Sequence, residues 1–454
     1  MKDSAMPENH SKRYYIRTFG CQMNEHDSSK MGVMLENMGY LPSESVEDAD
    51  LLLYNTCTIR EKAHHKAISE IGRSQLLKKK NPNLLVGVCG CVAQQEKDSL
   101  FEIYPHLDLV FGPDKISKLP FMINSAINGE RPLMVELVNS SDGYEFLGDI
   151  GRQKFEAGAA FVSIMKGCNC ACSYCIVPKV RGREVCRTPL EIMTEINRLV
   201  DAGAREVTLL GQNVNAYTSK RSLDTNSEMN FTDLLRMISD STGIERIRFT
   251  SPHPKDVSLE LIEEYGKNEK LCPHIHLPIQ SGSNKILKAM RRSYTRERYL
   301  EIAAGLKTAR PGISITTDII VGFCGEKIED HHHTLDLMNE VKFDSSFAFK
   351  YSPRPDTEAF DFADDVDEEE KERRLADVLD LQSNLSKSAN ESLVGSAGNC
   401  LVYGMDRMKK GLLTGRMPDN RIIHFSGNPD LIGGIVRVRV TGAFRNSLKG
   451  ELDL

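Results

Sequence analysis

The chain has 454 residues, 40% of them hydrophobic and 27% charged, with a formal net charge of −6 at pH 7. This charge does not indicate a general attraction to polyanions, so any basic surface must be local. No apolar run approaches the roughly 20 residues that span a bilayer, and the polar start lacks a signal-peptide core, so we expect a cytoplasmic protein. Twelve cysteines in that compartment indicate metal or redox chemistry rather than disulfides.

The first third of the chain alternates strand and helix patterns after a predicted disordered leader, residues 1–12. Apolar runs predict strands at 14–19, 50–54, 84–88 and 107–111, and amphipathic periods predict helices at 28–38 and 60–79. This alternation is typical of a parallel sheet covered by helices on both faces.

Three cysteines of this region each follow a predicted strand: Cys21, Cys57 and Cys91. The carboxyl ends of parallel strands share one edge of a sheet, where ligands bind in such folds. We therefore predict a site with three thiolates. Three unrelated cysteines would not be expected at the same end of each strand. Cys89 falls inside the strand pattern and is expected in the core.

A second group of cysteines follows an apolar strand at 161–165. After Gly167 come Cys168, Cys172 and Cys175, with CxxxCxxC spacing. A structural zinc ion normally takes four ligands in two pairs, so three thiols favour an iron–sulfur cluster with one iron left open. Buried inert thiols, or a zinc knuckle completed from elsewhere, remain alternatives. Cys170 is an extra thiol whose spacing makes it the weaker ligand candidate.

Residues 113–158 show little regular apolar period before the strand at 161–165, and we place a domain boundary near Leu147. Six strand-like runs then alternate with helices, at 161–165, 206–210, 246–250, 274–278, 313–321 and 346–351. This pattern predicts a partial (β/α)6 barrel with its chemistry in the loops after the strands. An open cluster iron in that position would hold S-adenosylmethionine. The loop residues predicted to contact it are Tyr174, Gly211, Gln212, Gln280, Ser281 and Gly322.

The last part of the chain begins with an acidic linker, 361–371, and an amphipathic helix, 374–385. Short strands separated by Gly and Asn follow from about residue 394, where nine Lys/Arg face five Asp/Glu. A small, basic, antiparallel β-barrel of this kind is a frequent nucleic-acid platform. Arg437 and Arg439 alternate with valines and share one face of their strand. An ordinary solvated face is the alternative.

These features together resemble the radical S-adenosylmethionine methylthiotransferases along essentially the whole chain. The motifs that carry the resemblance are TFGCQMNEHDS, NTCTIREKA, GCVAQQ, GCNCACSYCIVPKVRGREV, LLGQNVNAY, HLPIQSGSN, TDIIVGF and YSPRPDTEA. The residues after Cys21 and Cys57 are most similar to the branch that acts on isopentenyladenosine in tRNA. Sister branches modify threonylcarbamoyl-adenosine in tRNA or a ribosomal-protein aspartate.

The resemblance implies three domains: a methylthiotransferase domain (13–146), a radical core (147–386) and a TRAM domain that binds RNA (387–454). It implies that Cys168, Cys172 and Cys175 bind a radical 4Fe–4S cluster, and that the other three cysteines bind an auxiliary 4Fe–4S cluster connected with the sulfur. Two S-adenosylmethionine molecules would then place a methylthio group on carbon 2 of N(6)-isopentenyladenosine at position 37 of tRNA.

The implied partners are the anticodon stem-loop of tRNA and a reductant such as flavodoxin or ferredoxin. Basic residues expected beside the RNA are Arg181, Arg183 and Arg187, in addition to the two arginines of the C-terminal strand. The alternative to an enzyme is a non-catalytic RNA-binding protein whose iron–sulfur clusters act as redox sensors. The sequence departs from the family at Cys324 and Lys327, where proline and threonine are usual, so that loop is expected to differ.

Overall fold

The computed structural model describes residues 11–58, 61–140, 144–147, 157–222, 225–406 and 411–453, so the first ten residues of the predicted leader lie outside it. The chain forms two compact units. One runs through Lys154 and includes Val177–Arg183, and the other comprises Phe155–Ile176 and Glu184–Leu454. In the described ranges, no helix is both long enough and apolar enough to cross a membrane.

The first unit is built on a six-stranded, all-parallel sheet with strand order β2-β1-β3-β4-β5-β6. Its strands are β1 (Arg13–Thr18), β2 (Leu41–Pro42), β3 (Leu51–Thr56), β4 (Leu85–Gly90), β5 (Leu109–Phe111) and β6 (Leu133–Met134). Its helices are α1 (Gln22–Asn37), α2 (Glu61–Lys80), α3 (Cys91–Glu96), α4 (Ser99–Ile103), α5 (Leu119–Ile127) and α6 (Val177–Arg181).

Helices cover both faces of this sheet, which explains why its central strand is apolar on both sides. All six residues of β3 are buried, and Leu51 and Leu52 belong to separate apolar clusters on opposite faces. The four predicted strands and the core position of Cys89 are confirmed. Residues 113–158 have little regular apolar period, but the structure forms α5 and β6 there, because these elements are too short to show a period.

The second unit contains a parallel array in two halves, β7-β10-β13 and β14-β15-β16, joined by the parallel bridge between Ile247 and Leu271. These strands are β7 (Ala159–Ser163), β10 (Glu206–Leu210), β13 (Arg246–Phe249), β14 (His274–His276), β15 (Ser314–Val321) and β16 (Ser345–Lys350). All six predicted strands are present. Two short pairs accompany them: β8 (Met165–Lys166) with β9 (Val185–Cys186), and β11 (Thr218–Ser222) with β12 (Thr225–Asn230).

The helices of this unit have clear starting signals. They are α7 (Pro189–Asp201), α8 (Phe231–Ser241), α9 (Leu259–Lys267), α10 (Asn284–Ala289), α11 (Arg296–Ala309), α12 (Ile328–Val341) and α13 (Glu368–Glu391). Capping boxes, Thr188 with Glu191 and Asn230 with Asp233, begin α7 and α8. The predicted acidic linker is partly wrong: Asp367 caps α13, and the acidic residues after it form the first turn of that helix.

A closed five-stranded barrel ends the chain, in the order β17-β18-β19-β21-β20. Its strands are β17 (Ala397–Met405), β18 (Leu412–Arg416), β19 (Ile422–Ser426), β20 (Ile435–Ala443) and β21 (Leu448–Leu452). Four of the pairings are antiparallel, as predicted, but β19 and β21 pair in parallel.

Two buried arginines of β13 fasten this barrel to the parallel array. Arg246 donates to the carbonyl oxygens of Asn399 and Arg416, and Arg248 donates to those of Met417 and Pro418, at 2.8–3.2 Å. The Arg248 guanidinium is also paired with buried Glu206 at 3.0 Å. The array and the small barrel therefore form one unit through their side chains.

Candidate active site

The three cysteines of the first unit lie where the sequence predicts, at the carboxyl ends of β1, β3 and β4. Cys21 is the N-cap of α1, Cys57 follows β3 directly, and Cys91 is the first residue of α3. Cys57 and Cys91 are buried, and burial raises the pKa of Cys91 to about 12, with a smaller contribution from the other two thiols. The three sulfurs are thus close enough to act on one another electrostatically.

Side-chain hydrogen bonds fix the loops that carry these cysteines. Buried Asn24 donates to the carbonyl oxygens of Phe19 at 2.8 Å and Thr56 at 2.9 Å, so it joins the loops of Cys21 and Cys57. Thr56 in turn donates to the carbonyl oxygen of Cys89, which joins the second loop to the third. The three strand ends are therefore held in one rigid arrangement.

Gly20 lets two of these loops approach. Its φ of +112° is unfavourable for other residues, and a Cβ atom there would lie 2.3 Å from Cβ and 2.8 Å from Sγ of Cys57. An alanine at this position would therefore displace Cys57.

Arg181 supplies a positive charge at this site. Its buried guanidinium donates to Asn24 at 2.9 Å and to Asp27 at 3.1 Å. Burial raises the pKa of Cys91 and Cys21, and the charge of Arg181 opposes that rise at both thiols. Burial alone would also raise the pKa of Asp27, but Arg181 brings it below its ordinary value. Arg181 thus offsets part of the cost that burial imposes on the thiolates, the form that binds iron.

The second group of cysteines lies on the loop that follows β8, in the second unit. Gly167, with φ of +75°, starts the loop and donates its N–H to the side-chain oxygen of Gln212. Asn169 exchanges three hydrogen bonds of 3.0–3.2 Å with Glu184, and the Cys175 N–H bonds to the Cys172 carbonyl oxygen at 3.1 Å. Hydrogen bonds to neighbouring residues therefore hold this loop.

A buried arginine, Arg292, also contacts this loop. It donates to the Sγ atom of Cys172 at 3.6 Å, to Tyr294 at 2.9 Å and to the Pro278 carbonyl oxygen at 3.0 Å. The sequence does not predict this contact, because 120 positions separate Arg292 from Cys172. The only signal in the sequence is its place in RRSY, after α10.

The loop residues predicted to contact S-adenosylmethionine have structural contacts. The Tyr174 ring packs edge-on against Phe323, at 6.5 Å between centroids. A Cβ on Gly211 would meet Met165 at 2.5 Å, and one on Gly322 would meet Lys371 at 2.3 Å. Both glycines therefore allow a neighbouring side chain to pack closely, whereas the sequence predicts that they allow a cofactor to approach.

Gln280 and Ser281 lie next to the carboxyl end of β15. Gln280 has φ of +68°, and its backbone pairs with β15 through Asp318 and Ile320. Ser281 is fully buried and accepts from the N–H of Ser283 at 3.2 Å. Contact of these residues with S-adenosylmethionine stays a prediction.

Strands β14 to β16 present a polar and aromatic face opposite the face that packs on the helices. On this face, Nε2 of His276 lies 3.3 Å from Oδ2 of Asp318, and the His276 ring lies 6.0 Å from that of Phe347. Phe347 is 52% exposed and Phe349 is 40% exposed. Exposed rings beside an imidazole and a carboxylate suit a flat heteroaromatic ligand.

The arginines predicted to contact RNA divide into two groups. Arg183 is exposed, and Arg437 and Arg439 are 59% and 47% exposed, although both are paired with Asp453. Arg187 is instead buried, with its guanidinium bonded to Glu195, Ser163 and Glu191, and Arg181 is buried beside Asp27. The two buried residues are therefore positioned for structural and electrostatic roles.

Two of the residues that differ from the usual family residue have defined structural roles. Cys324 is buried in an apolar cluster with Phe323 and Tyr351, and Lys327 is the N-cap of α12. The extra thiol, Cys170, accepts from Asn213 at 3.8 Å, and its N–H donates to Cys168 at 3.4 Å.

In the described ranges, no three His, Cys, Asp or Glu side chains are grouped tightly enough to enclose a single metal ion. A 4Fe–4S cluster binds each thiolate at a different iron, so its ligands stand farther apart than those of one ion. The donor sets, three thiols with a buried guanidinium nearby, fit a cluster in both units.

Three family profiles match the chain. Residues 13–112 match "Uncharacterized protein family UPF0004", residues 162–338 match the radical SAM superfamily, and residues 391–452 match the TRAM domain. A tRNA-2-methylthio-N(6)-dimethylallyladenosine synthase from Geotalea uraniireducens is 46% identical over 97% of this chain and 99% of its own length. The protein of the same name from Geobacter metallireducens is 48% identical, over 97% and 98%. The chain belongs to the tRNA-2-methylthio-N(6)-dimethylallyladenosine synthase family.

Solved structures agree with this family in fold. The radical S-adenosylmethionine methyltransferase TsrM from Kitasatospora setae, bound to cobalamin and a 4Fe–4S cluster, aligns over 77% of each chain with a TM-score of 0.56 at 15% identity. The same enzyme with tryptophan and a SAM analogue aligns over 74% of this chain with a TM-score of 0.54. The family membership also confirms that the protein is an enzyme of the radical type.

Proposed function

We propose that this enzyme installs a methylthio group on carbon 2 of N(6)-isopentenyladenosine at position 37 of tRNA. The observation that carries the proposal is the presence of two separate three-cysteine sites in a chain that aligns with synthases of this name over 97% of its length. When bound, iron–sulfur clusters and two S-adenosylmethionine molecules supply the adenosyl radical, the sulfur and the methyl group.

Each site would hold one 4Fe–4S cluster. Cys168, Cys172 and Cys175 would bind the radical cluster, and three thiols leave one iron available to S-adenosylmethionine. The cysteines of β1, β3 and β4 would bind the auxiliary cluster. The loops around both sites are fixed by Asn24, Thr56 and the Asn169–Glu184 pair, which supports preformed ligand positions.

The face of β14 to β16 would receive the target base. Phe347 and Phe349 offer rings on which a base can stack, a contact worth about 1–3 kcal/mol. The pair of His276 and Asp318 offers a donor and an acceptor for the edge of a purine. Anticodon loops already splay their bases, so little energy is needed to present the nucleotide.

The C-terminal barrel would bind the anticodon stem-loop through its basic strand. Arg437 and Arg439 lie on one face of β20 and are largely exposed, which supports a role in phosphate contact. A one-electron protein donor such as flavodoxin or ferredoxin would supply the electron. We propose residues 13–146, 147–386 and 387–454 as the corresponding domains.

The test is anaerobic reaction of the reconstituted enzyme with isopentenylated anticodon stem-loop, followed by nucleoside mass analysis. We expect the adenosine to gain one sulfur and one CH₂ group, and Cys168→Ala to abolish both product and S-adenosylmethionine cleavage. Product on threonylcarbamoyl-adenosine or on a ribosomal-protein aspartate, but none on this substrate, would contradict the proposal. Full RNA function in Cys168→Ala would indicate a redox-sensing binder instead.

A further inference from the structure

A buried arginine lies at each three-cysteine site, but the two differ in their counter-ions. At the N-terminal site, Arg181 is paired with the Asp27 carboxylate at 3.1 Å, and both side chains are at most 11% exposed. At the other site, Arg292 is only 9% exposed, and its guanidinium bonds to a thiol, a phenol and a carbonyl. Among the described residues, no Asp or Glu side chain is hydrogen-bonded to or ion-paired with the Arg292 guanidinium.

A buried guanidinium without a carboxylate needs another negative partner. The charge of Arg181 is balanced in part by the carboxylate of Asp27. The charge of Arg292 is directed at Cys172, and ligation to iron would keep that thiol as a thiolate. Hydrogen bonds and charges at the sulfur ligands are main determinants of the reduction potential of an iron–sulfur cluster.

We propose that Arg292 is a positioning residue that raises the reduction potential of the cluster held by Cys168, Cys172 and Cys175. The proposal rests on the proposed function, since it requires a cluster at these cysteines. In the reduction step, the cluster gains one electron and a low-potential one-electron donor loses one. The extra negative charge is stabilised by the unbalanced guanidinium, because Coulomb energy is larger where water is excluded.

The sequence and contacts near Arg292 offer a matched control. Arg291 is the adjacent residue, but its side chain is 55% exposed and paired with Glu358 at 2.7 Å. Solvent screens such a surface charge, so its removal should not change the cluster. Arg292→Met removes the buried charge, Arg292→Lys retains it on a different head group, and Arg291→Gln removes the exposed charge.

The experiment is a redox titration of the full-length protein followed by electron paramagnetic resonance. It is done with Cys21, Cys57 and Cys91 all replaced by alanine, so that one cluster gives the signal. We expect Arg292→Met to lower the equilibrium constant for reduction about tenfold or more, which for a one-electron couple is about 59 mV. Arg292→Lys should recover most of this change, and Arg291→Gln should match the parent.

An unchanged potential in Arg292→Met would overturn the inference and leave the proposed function intact. If Arg292→Met does not retain iron, the Arg292→Lys variant tests the inference instead. A reduction potential near that of the parent supports the role of the charge, and a tenfold lower equilibrium constant for reduction refutes it. If the parent itself binds no cluster, the proposed function fails instead. A second readout is S-adenosylmethionine cleavage, where the defect of Arg292→Met should shrink with a stronger reductant. A defect independent of the reductant would overturn the inference.

Discussion

Replacing Gly20 with alanine tests whether the loops of Cys21 and Cys57 must approach each other to form the N-terminal site. The new Cβ atom would lie 2.3 Å from Cβ and 2.8 Å from Sγ of Cys57, where carbon contacts are normally about 3.5–4.0 Å. Either Cys57 or the loop must therefore move. The φ of +112° adds backbone strain of about 1–3 kcal/mol for any residue with a side chain.

Gly39 provides the control for the backbone strain. It has φ of +87° in the same unit, but a Cβ atom there would meet no atom within 4 Å. We expect Gly39→Ala to lower the free energy of unfolding by about 1 kcal/mol with full iron loading. Gly20→Ala should cost about 2 kcal/mol more, because overpacking at Cys57 adds to the strain.

The assay combines chemical denaturation with iron analysis after anaerobic reconstitution. In Gly20→Ala, iron should fall to the content of one cluster, and S-adenosylmethionine cleavage, which needs only the other site, should persist. Equal destabilisation in the two alanine variants, together with full iron in Gly20→Ala, would refute this reasoning.

Three further changes test other parts of the structure. Asp27→Asn should destabilise the protein at pH 7 by about 3 kcal/mol, measured by urea denaturation, since Arg181 loses its buried partner. Because the pKa of Asp27 is lowered in the fold, this difference in stability should be present above about pH 4. It should shrink at lower pH, as acid protonates the wild-type carboxyl. Phe347→Ala should weaken stem-loop binding or raise KM about fivefold or more, whereas Phe360→Ala, also at an exposed ring, should change neither. Asp453→Asn should free the two arginines of β20, and RNA affinity, measured by filter binding, should rise with a steeper salt dependence; unchanged affinity would contradict a phosphate role for that strand.

Strand-end placement was the part of the site that the sequence could predict. Hydrophobic runs locate strands, and parallel strands bring their carboxyl ends together, so the positions of Cys21, Cys57 and Cys91 followed from local patterns. The same argument placed the second cysteine loop after its strand. The order of the sheet and the two short edge strands could not be predicted, because two-residue strands have no period.

The charged residues around the sites could not be assigned from sequence. Arg181 and Arg187 stand in a basic motif that indicated RNA contact, but their burial and partners depend on tertiary structure. The pairing of Arg292 with Cys172 joins residues 120 positions apart, which no periodicity reveals. Gly322 was likewise predicted to admit a cofactor, whereas Lys371 of α13 fills the space beside it.

We propose that the chain holds two independent clusters that act together on one adenosine. The direct measurement is iron content and nucleoside mass for the wild type and for two triple alanine variants, one at each cysteine site. We predict that each variant retains half of the wild-type iron, that only the variant at the N-terminal site still cleaves S-adenosylmethionine, and that neither forms methylthio product. Methylthio product from the variant lacking Cys21, Cys57 and Cys91, or full iron in either variant, would contradict the account.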